Sequence, residues 1–582
     1  MRLKRISTAV AAGAILGLAL SACAPETDPN GDGGGGGGGT AAENQSISAS
    51  VGPNDFISYN GFTPETYSTY NSAIVDRMQL GFTYFGTDGE ILPNEDLGSF
   101  EMVSEDPMVI EYTIADDAVW SDGTPITVAD AVLAWAFQNP NLKSGDEPLF
   151  NSVSADLGDE VPEGPQGDAE GKTFTVEFAA PNPDWQIQTW MLHPAHVVAE
   201  QGGLTTEEFV EAARDGDAEA LADAAEFWNT GWHTDPGTLP DEELVPVNGP
   251  YKLGSWEAGQ SVTLVPNENY YGELAANDEL VMRFVDQGAM VQALDNGDLD
   301  VIAPQPTVDT LSQLEGLGDK VNIHQGDTLT WEHLDFNFTE GSLFSDNLEL
   351  RKAFAMCVPR QQIVENLIQP INPEAEVLNA REVFPFQDTY GEVVDASYDG
   401  QYDEVDIEGA KAILEAEGAD GAEVRIGYSA PNPRRSDQVA MIKSSCDEAG
   451  FDIVDAGDAD FFQPGGTQER GDYEVALFAW AGSGQITSGE NIYATGKPQN
   501  YTDYSNEEVD AAWRTLATSL DESVHLEQTK EIEKLLWDDL FGIPIFAHPG
   551  LDSSAANIEN VEGTATQDGI VWNAPTWQRA AE

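Results

Sequence analysis

Cationic side chains are scarce in this chain of 582 residues. It has 25 Lys and Arg against 103 Asp and Glu, which gives a formal net charge of −78 at pH 7. A surface of this charge repels the phosphate backbone of nucleic acids and anionic lipid headgroups, so nucleic-acid binding is excluded as a function. Charge in such excess bears on solubility and association rather than on fold. We interpret it as a solubility or salt adaptation of the whole surface.

Long hydrophobic runs are missing as well. After the N-terminus, no segment has the 18 consecutive apolar residues that a membrane-spanning helix needs. The apolar stretch Ala9–Leu20 is too short to span a bilayer, and it follows basic residues at positions 2, 4 and 5, as in a secretory signal. It ends in Leu-Ser-Ala-Cys, which resembles a bacterial lipobox. We therefore predict a lipoprotein signal peptide over residues 1–22, removed before a lipidated Cys23; the alternative is a secreted protein with an incidental cysteine.

A glycine-rich segment follows Cys23. Residues 23–45 include the unbroken run Gly33–Gly39, and a chain of this composition is a flexible coil with a root-mean-square span of roughly 25 Å. A phosphate-binding loop would need a preceding strand and a following Lys-Ser/Thr pair, which this segment lacks. The sequence predicts a flexible tether that holds a folded body near a membrane, with the lipid anchor as its membrane attachment.

Cysteine is rare too. Only Cys357 and Cys446 remain after Cys23. In an oxidising compartment an isolated pair of this kind indicates a disulfide bond. It would close a loop of about 90 residues and stabilise the fold by about 4 kcal/mol in the loop-entropy model. The alternative is two buried free thiols.

Sequence motifs of enzymes are also absent. The pair His193 and His196 lacks the Glu-x-x spacing of a zinc protease, and no Gly-x-Ser-x-Gly nucleophile elbow or EF-hand loop occurs. With 103 acidic residues, paired carboxylates arise by chance and are no evidence for a glycosidase. We expect no catalytic residues, no metal and no cofactor.

Short strands and helices alternate from about residue 46 onward. Met108–Ile114 is predicted to be a strand, Thr127–Phe137 a helix that begins with a capping box, and 205–228 a helical insertion broken near Gly216. Further strands are predicted at Leu334–Phe338, Val424–Tyr428 and Val475–Trp480, and helices at Leu348–Ala355, Arg360–Ile368, Ser436–Ala449 and 506–540. Alternation without an internal repeat indicates an α/β protein.

Four segments carry a resemblance to a known family. In chain order they are Trp120–Val132, Asn248–Leu253, Leu334–Ala355 and Asp472–Trp480. Their order and spacing resemble the extracellular solute-binding proteins of family 5, the peptide- and nickel-type receptors of ABC importers. The resemblance covers nearly all of residues 46–580, and the Cys357–Cys446 pair is similar to that of actinobacterial members, which points to a Gram-positive host.

The resemblance implies a two-lobed α/β fold of the periplasmic-binding-protein type, with an enlarged first lobe and a hinge of two crossing strands. Lobe I would comprise residues 46–328 plus 546–582, and lobe II residues 329–545. A small solute, by family default an oligopeptide, would bind between the lobes. The implied protein is a monomer on the extracellular face of the cell membrane, and its partners are an ABC permease and its ATPase.

Candidate ligand contacts follow from the segments that such a cleft would expose. Arg434 and Arg435 resemble a dipeptide-receptor segment that binds the ligand carboxylate, a role that suits the guanidinium fork. The alternatives are a structural ion pair for these arginines and core packing for the aromatic residues. The other candidates lie after the first strand, around the first crossing and after a strand of lobe II: Tyr59, Asn60, Trp331, His333, Asn337, Trp480, Gly482 and Ser483.

One departure from the family pattern concerns the ligand. Many peptide receptors place an Asp for the peptide α-ammonium soon after the Trp that corresponds to Trp480, but here the first acid is Glu490. Glu490 or another acid replaces it, or the ligand has no free amine. Three hypotheses stay open: an oligopeptide receptor, a receptor for an oligosaccharide, opine-like compound or metal chelate, and a secreted hydrolase on a two-lobed scaffold.

Overall fold

The computed structural model describes residues 45–154, 157–187, 191–463, 465–482 and 484–580. The predicted signal peptide, the lipidation site Cys23, the tether up to residue 44 and the candidate contact Ser483 lie outside these ranges. Within them, no helix is long and apolar enough to cross a membrane.

The strands of the described residues form one large sheet and several small ones. In chain order they are β1 Ser46–Gly52, β2 Thr83–Phe85, β3 Ile91–Pro93, β4 Gly98–Glu105, β5 Met108–Ile114, β6 Lys143–Ser144, β7 Glu147–Pro148, β8 Thr173–Glu177, β9 Tyr251–Glu257, β10 Ser261–Pro266, β11 Glu279–Phe284, β12 Val301–Ile302, β13 Val321–Phe336, β14 Glu423–Ser429, β15 Asp452–Asp458, β16 Val475–Ala481, β17 Gly542–Ala555, β18 Ile558–Glu559 and β19 Gln578–Arg579.

Helices alternate with these strands. They are α1 Thr69–Val75, α2 Val128–Phe137, α3 Leu157–Glu160, α4 Ala195–Gln201, α5 Thr206–Asp215, α6 Ala218–Thr230, α7 Met290–Asn296, α8 Val308–Leu317, α9 Leu348–Cys357, α10 Arg360–Ile363, α11 Tyr390–Ser397, α12 Ile407–Glu417, α13 Pro433–Ala449, α14 Glu490–Tyr493, α15 Glu507–Ala517 and α16 Glu522–Asp538. A π-helical turn, Val364–Ile368, continues α10.

The large sheet has the strand order β15-β14-β16-β13-β17-β12-β1-β11-β10-β9. Its two longest strands, β13 and β17, lie antiparallel at its centre and pair from Val321 with Ala555 to Asp335 with Gly542. On one side β13 pairs with β16, and on the other β17 pairs with β12. The two central strands therefore join two groups of strands.

Two separate hydrophobic cores pack on these groups. One contains buried residues between Ile47 and Val301 together with residues between Ile558 and Trp577. The other contains buried residues between Leu334 and Phe546. We call the parts built on these cores the first lobe and the second lobe; the chain passes between them along β13 and returns along β17.

Capping motifs mark the starts of two helices, and the first of them was predicted from the sequence. The Thr127 backbone N–H donates to Asp130 Oδ2 at 2.8 Å, and Asp130 completes a capping box at α2. Thr205 and Glu208 form the same motif at α5. Gly216 takes φ +68°, a left-handed conformation that separates α5 from α6 and that glycine adopts without strain.

Two elements differ from the sequence prediction. The strand predicted to begin at Leu334 begins at Val321, because β17 supplies a hydrogen-bonding partner along the polar first half of β13. The predicted helix over 506–540 is two helices, since Asp521 caps a new helix by accepting a hydrogen bond from the Ser523 backbone N–H at 2.9 Å. Strand pairing therefore determines where β13 begins, and helix capping determines where the predicted helix divides; hydrophobic spacing in the sequence indicates neither.

The structure contains the Cys357–Cys446 disulfide bond. Cys357 ends α9 and Cys446 lies near the end of α13, and both are fully buried in the core of the second lobe. The bond therefore joins two helices of the same lobe and does not cross between lobes.

Candidate ligand-binding cleft

The two central strands lose their regular pairing at one place. Asp327 pairs with Pro549 and Trp331 with Ala547, so three residues of β13 lie opposite one residue of β17, His548. Such an irregularity bends a strand pair locally. It lies where the chain leaves the first lobe, and His548 and Trp331 border it.

Aromatic side chains form a row beside this bend. Trp331 and Trp480 lie opposite each other on β13 and β16, and His333 packs on Trp331 with ring centroids 4.3 Å apart. Phe478 lies 4.3 Å from His333, and Tyr501 stacks on Trp480 at 5.6 Å with an interplanar angle of 27°. Trp331, His333 and Phe478 are buried, whereas Trp480 is half-buried and Tyr501 exposed. The accessible end of the row is thus Trp480 with Tyr501.

A buried carboxylate on β13 faces the first turn of α13. Glu332 is fully buried and accepts hydrogen bonds from Arg435 Nε at 2.9 Å and from Gln438 Nε2 at 3.1 Å. Arg434 Nη2 lies 3.6 Å from the same carboxylate, and His548 Nε2 lies 2.9 Å from it. Both arginines that resemble a carboxylate-binding segment are therefore paired with Glu332 in this structure.

The charges in this cluster do not balance. Burial opposes ionisation of Glu332, but Arg434 and Arg435 hold its pKa well below the usual range. Burial and the neighbouring Arg434 lower the pKa of His548 to about 4, so its ring is neutral at neutral pH. With two guanidinium groups, one carboxylate and a neutral imidazole, the cluster carries an excess of one positive charge.

Arg434 has spare hydrogen-bonding capacity. It is 5% exposed, and its Nε has no hydrogen-bond partner among the described residues. Its Nη1 lies 3.5 Å from the carbonyl oxygen of Pro306 in the first lobe. Because His548 Nε2 also lies 3.2 Å from Arg434 Nη2, the neutral ring either donates to Glu332 or accepts from Arg434.

A pocket of about 460 Å³ opens on the first half of the central strands. This volume lies in the range of small-molecule sites. Burial raises the pKa of Asp552, one of its carboxyl groups, to about 7. The pocket is lined by residues of the first lobe, of both central strands and of the second lobe: Thr87, Asp88, Ile323, His324, Gln325, Gly326, Asp327, Phe386, Gly550, Asp552, Gly563, Thr564 and Ala565.

Two candidate contacts lie in the core of the first lobe. Tyr59 is fully buried, its hydroxyl donates to the Pro246 carbonyl, and burial raises its pKa. Asn60 is equally buried and donates from Nδ2 to the Trp228 carbonyl at 2.9 Å. Their polar groups are therefore used inside the first lobe, and we do not carry these two residues forward as ligand contacts.

Asn337 and Gly482 are likewise occupied. Asn337 is 2% exposed and donates from Nδ2 to the Tyr473 carbonyl at 2.8 Å, so it holds two chain segments together. The Gly482 backbone N–H donates to the Leu329 carbonyl at 2.8 Å, which uses the donor expected for a ligand. A Cβ at Gly482 would lie 2.7 Å from the same oxygen, so glycine permits the close approach.

Sequence reasoning missed two residues of this region. Glu332 organises the charge cluster, and a lone acid between Trp331 and His333 in a buried strand is a signal that can be read from the sequence. Asp184 is 3% exposed and its carboxylate accepts hydrogen bonds from the loop that follows β16. Its sequence context, Pro-Asn-Pro-Asp, indicates only a turn.

The described residues contain no group of three or more His, Cys, Asp or Glu side chains arranged to hold a metal ion. The features near the central strands are an aromatic row, a buried cluster with excess positive charge and a pocket. They suit the reversible binding of a solute between two lobes.

Two lobes joined by a pair of long crossing strands define the class of two-lobed solute-binding proteins. The profile of "Bacterial extracellular solute-binding proteins, family 5 Middle" matches residues 97–502. The chain belongs to this family, the solute-binding proteins of ABC importers, and is therefore an extracellular protein.

Similar proteins span almost the whole chain. The uncharacterized lipoprotein Rv2585c of Mycobacterium tuberculosis is 27% identical, with 90% of this chain and 91% of the relative covered. The oligopeptide-binding protein OppA of the same species is 24% identical, with 96% and 91% covered. The solved structure of the periplasmic EDTA-binding protein EppA matches with a TM-score of 0.80 at 22% identity, covering 94% of this chain and 98% of that one.

Proposed function

We propose that this chain is the lipid-anchored receptor of an ABC importer that captures oligopeptides between its lobes and delivers them to the permease. The anchor is the lipidated Cys23, and the relatives that are named lipoproteins support it. The lobes are residues 46–328 plus 546–582 and residues 329–545. The receptor works as a monomer, and its partners are the permease and its ATPase.

The observation that carries the ligand class is the excess positive charge at Arg434. A buried guanidinium without a full set of acceptors favours an anion, and a carboxylate matches its geometry. The side chains of Arg435 and His548 each keep 13% of their surface exposed, which leaves the cluster in reach of a ligand group. A peptide brings such a group at its C-terminus, whereas a neutral oligosaccharide does not.

The accessible aromatic pair supplies the rest of the proposed contact. Trp480 and Tyr501 offer stacked ring faces to an apolar side chain or a peptide plane. Trp331 supports Trp480 from the opposite strand. From the contacts predicted by the sequence we retain Trp331, Trp480, Arg434 and Arg435, and we add Tyr501 to them.

A second candidate is a polycarboxylate metal chelate. The family's usual ammonium-binding Asp is absent after Trp480, and a chelate of this kind needs no such group. The positive cluster serves its carboxylates equally well. A protein of similar fold is named the periplasmic EDTA-binding protein EppA, and this name supports the second candidate.

The test begins with the ligand that the protein carries. The full chain is purified without refolding, denatured, and the released small molecules are identified by mass spectrometry. A set of peptides supports the proposal, a single polycarboxylate chelate supports the second candidate, and a neutral sugar contradicts both.

Synthetic peptides then test the carboxylate. Each bound peptide is compared with its C-terminal amide by calorimetry, and we expect the amide to bind at least ~10-fold more weakly because a charge-assisted pair is lost. The variant Arg434→Met should abolish that difference, while Arg470→Met, which removes an exposed arginine, should leave it intact. Equal affinity of acid and amide would remove Arg434 from the site.

A further inference from the structure

Asp184 connects the two lobes away from the central strands. It is 3% exposed. Its Oδ1 accepts a hydrogen bond from the Ile486 backbone N–H at 2.8 Å, and its Oδ2 accepts from the Thr487 backbone N–H at 2.8 Å and from the Thr487 hydroxyl at 2.5 Å. One buried carboxylate thus has three donors, all from one loop.

The Asp184 carboxylate and its hydrogen-bond donors belong to different lobes. Asp184 directly precedes Trp185, which packs against the first core and makes an edge contact with Phe100 at 5.5 Å. Ile486 and Thr487 follow β16, whose Val475 and Leu477 lie in the second core. The hydrogen bonds therefore hold the first lobe on the loop that begins after Trp480.

The same loop meets the first lobe at a second point. Gly484 takes φ +78°, and a Cβ there would lie 2.8 Å from the carbonyl oxygen of Gly89, in the turn between β2 and β3. A side chain at this position would collide with the backbone of the first lobe, so the contact needs glycine at 484. The loop is held by Asp184 on one side and packed against Gly89 on the other.

No cation compensates the charge of Asp184 among its described partners. The carboxylate is stabilised by converging N–H and O–H dipoles, an arrangement that binds anions well and is lost as a unit when the groups separate. If the lobes part, the carboxylate exchanges these bonds for water. The contact therefore favours the arrangement with the lobes together, and its loss shifts the population away from it.

We propose that Asp184 is a closure latch: it holds the first lobe on the loop after Trp480 and so positions both walls of the cleft for ligand capture. The latch acts in the protein without ligand, and its strength adds to the affinity for whatever solute binds. The two-lobed fold of the family is all that it requires, so it stands apart from the identity of the ligand.

The test uses the full chain in the absence of ligand, with two readouts. In Asp184→Asn, which keeps the size of the side chain, we expect the amides of Ile486 and Thr487 to exchange hydrogen at least ~10-fold faster, as loss of a charge-assisted bond predicts. We also expect a larger radius of gyration in small-angle X-ray scattering, because the lobes separate more often. Asp223→Asn, at an exposed aspartate of α6, is the matched control.

Two results would overturn the latch. Unchanged exchange at Ile486 and Thr487 would show that the hydrogen bonds are not stabilising. Faster exchange with an unchanged radius of gyration would show that Asp184 orders the loop without holding the lobes. If Asp184→Asn does not fold, Thr487→Val removes only the hydroxyl donor and should produce the same two changes to a smaller extent.

Discussion

Replacing Glu332 by Gln should destabilise the protein strongly, because the side chain is the buried counter-charge of two arginines. Gln keeps the shape and one acceptor oxygen, so the change removes the charge and little else. Removing one partner of a buried pair costs about 3–5 kcal/mol, most of it from the charge left unpaired. Since the side chain of Arg435 keeps 13% of its surface exposed and can reach water, we expect the lower end, about 3 kcal/mol.

Urea unfolding followed by circular dichroism measures this effect in the protein without ligand. Glu349→Gln is the matched control, since Glu349 pairs with Lys352 on the surface with half of its side chain exposed. Surface ion pairs contribute about 0–1 kcal/mol, so the control substitution should change the free energy of unfolding very little. A loss below about 1 kcal/mol for Glu332→Gln, equal to the control, would refute the claim that burial sets the energetics of the cluster.

The double variant Glu332→Gln/Arg435→Gln separates charge from packing. If the loss in the single variant comes from an unpaired guanidinium, removing Arg435 should recover more than half of it. If the loss comes from disturbed packing, the second change should add to the first. The sign of the coupling therefore identifies the cause.

Further expectations concern titration, cross-linking and binding. Burial lowers the pKa of His193 to about 3, so on acidification the unfolded chain binds a proton at this residue before the folded protein does. As the pH falls from 6.5 to 4, the free energy of unfolding of His193→Gln should therefore rise relative to that of the wild type by about 1.4 kcal/mol per pH unit. A difference that stays constant with pH would contradict this. Burial and a neighbouring glutamate raise the pKa of Glu382 to about 8, so the unfolded chain loses this proton at a lower pH than the folded protein does. As the pH rises from 4.5 to 8, the free energy of unfolding of Glu382→Gln, measured with urea at each pH, should rise relative to that of the wild type by a similar amount per pH unit. Replacing Cys357 and Cys446 by Ala opens a loop with a sequence separation of 89 and should lower the free energy of unfolding by about 4 kcal/mol, and a loss under about 1 kcal/mol would be inconsistent with the loop-entropy account. Trp480→Ala should weaken binding of the released ligand at least ~10-fold in calorimetry, and unchanged affinity would take the aromatic row out of the site.

Much of the local structure could be predicted from the sequence because its causes are local. The capping boxes at Thr127 and Thr205 lie within four residues of chain, and the glycine that separates α5 from α6 acts through its own φ angle. The first half of β13 could not be found this way. Its residues His324 to Asp327 show no strand pattern, and they are extended because β17, more than 200 residues further along the chain, pairs with them.

The candidate site shows the same division. A motif located Arg434 and Arg435, but their partner Glu332 lies on a strand 102 residues earlier than Arg434. Nothing in the segment around Tyr59 distinguishes a side chain that enters a cleft from one that enters a core. Burial is decided by which elements pack against a segment, and those elements are distant in sequence. The resemblance to a family predicted the two lobes, whereas the partners of the candidate site residues could be identified only from the three-dimensional structure.

The path of the chain through the central strands has a consequence for how the protein is assembled. The segment from Glu332 to Phe546 is continuous, and its two ends are paired neighbours on adjacent strands. The second lobe is therefore a continuous insertion into the first lobe, and the chain enters and leaves it along the adjacent strands β13 and β17. It has its own core and its own disulfide bond. We expect that such a unit can be deleted, circularly permuted or exchanged between relatives while the first lobe keeps its fold, because the two chain ends at its boundary are already adjacent.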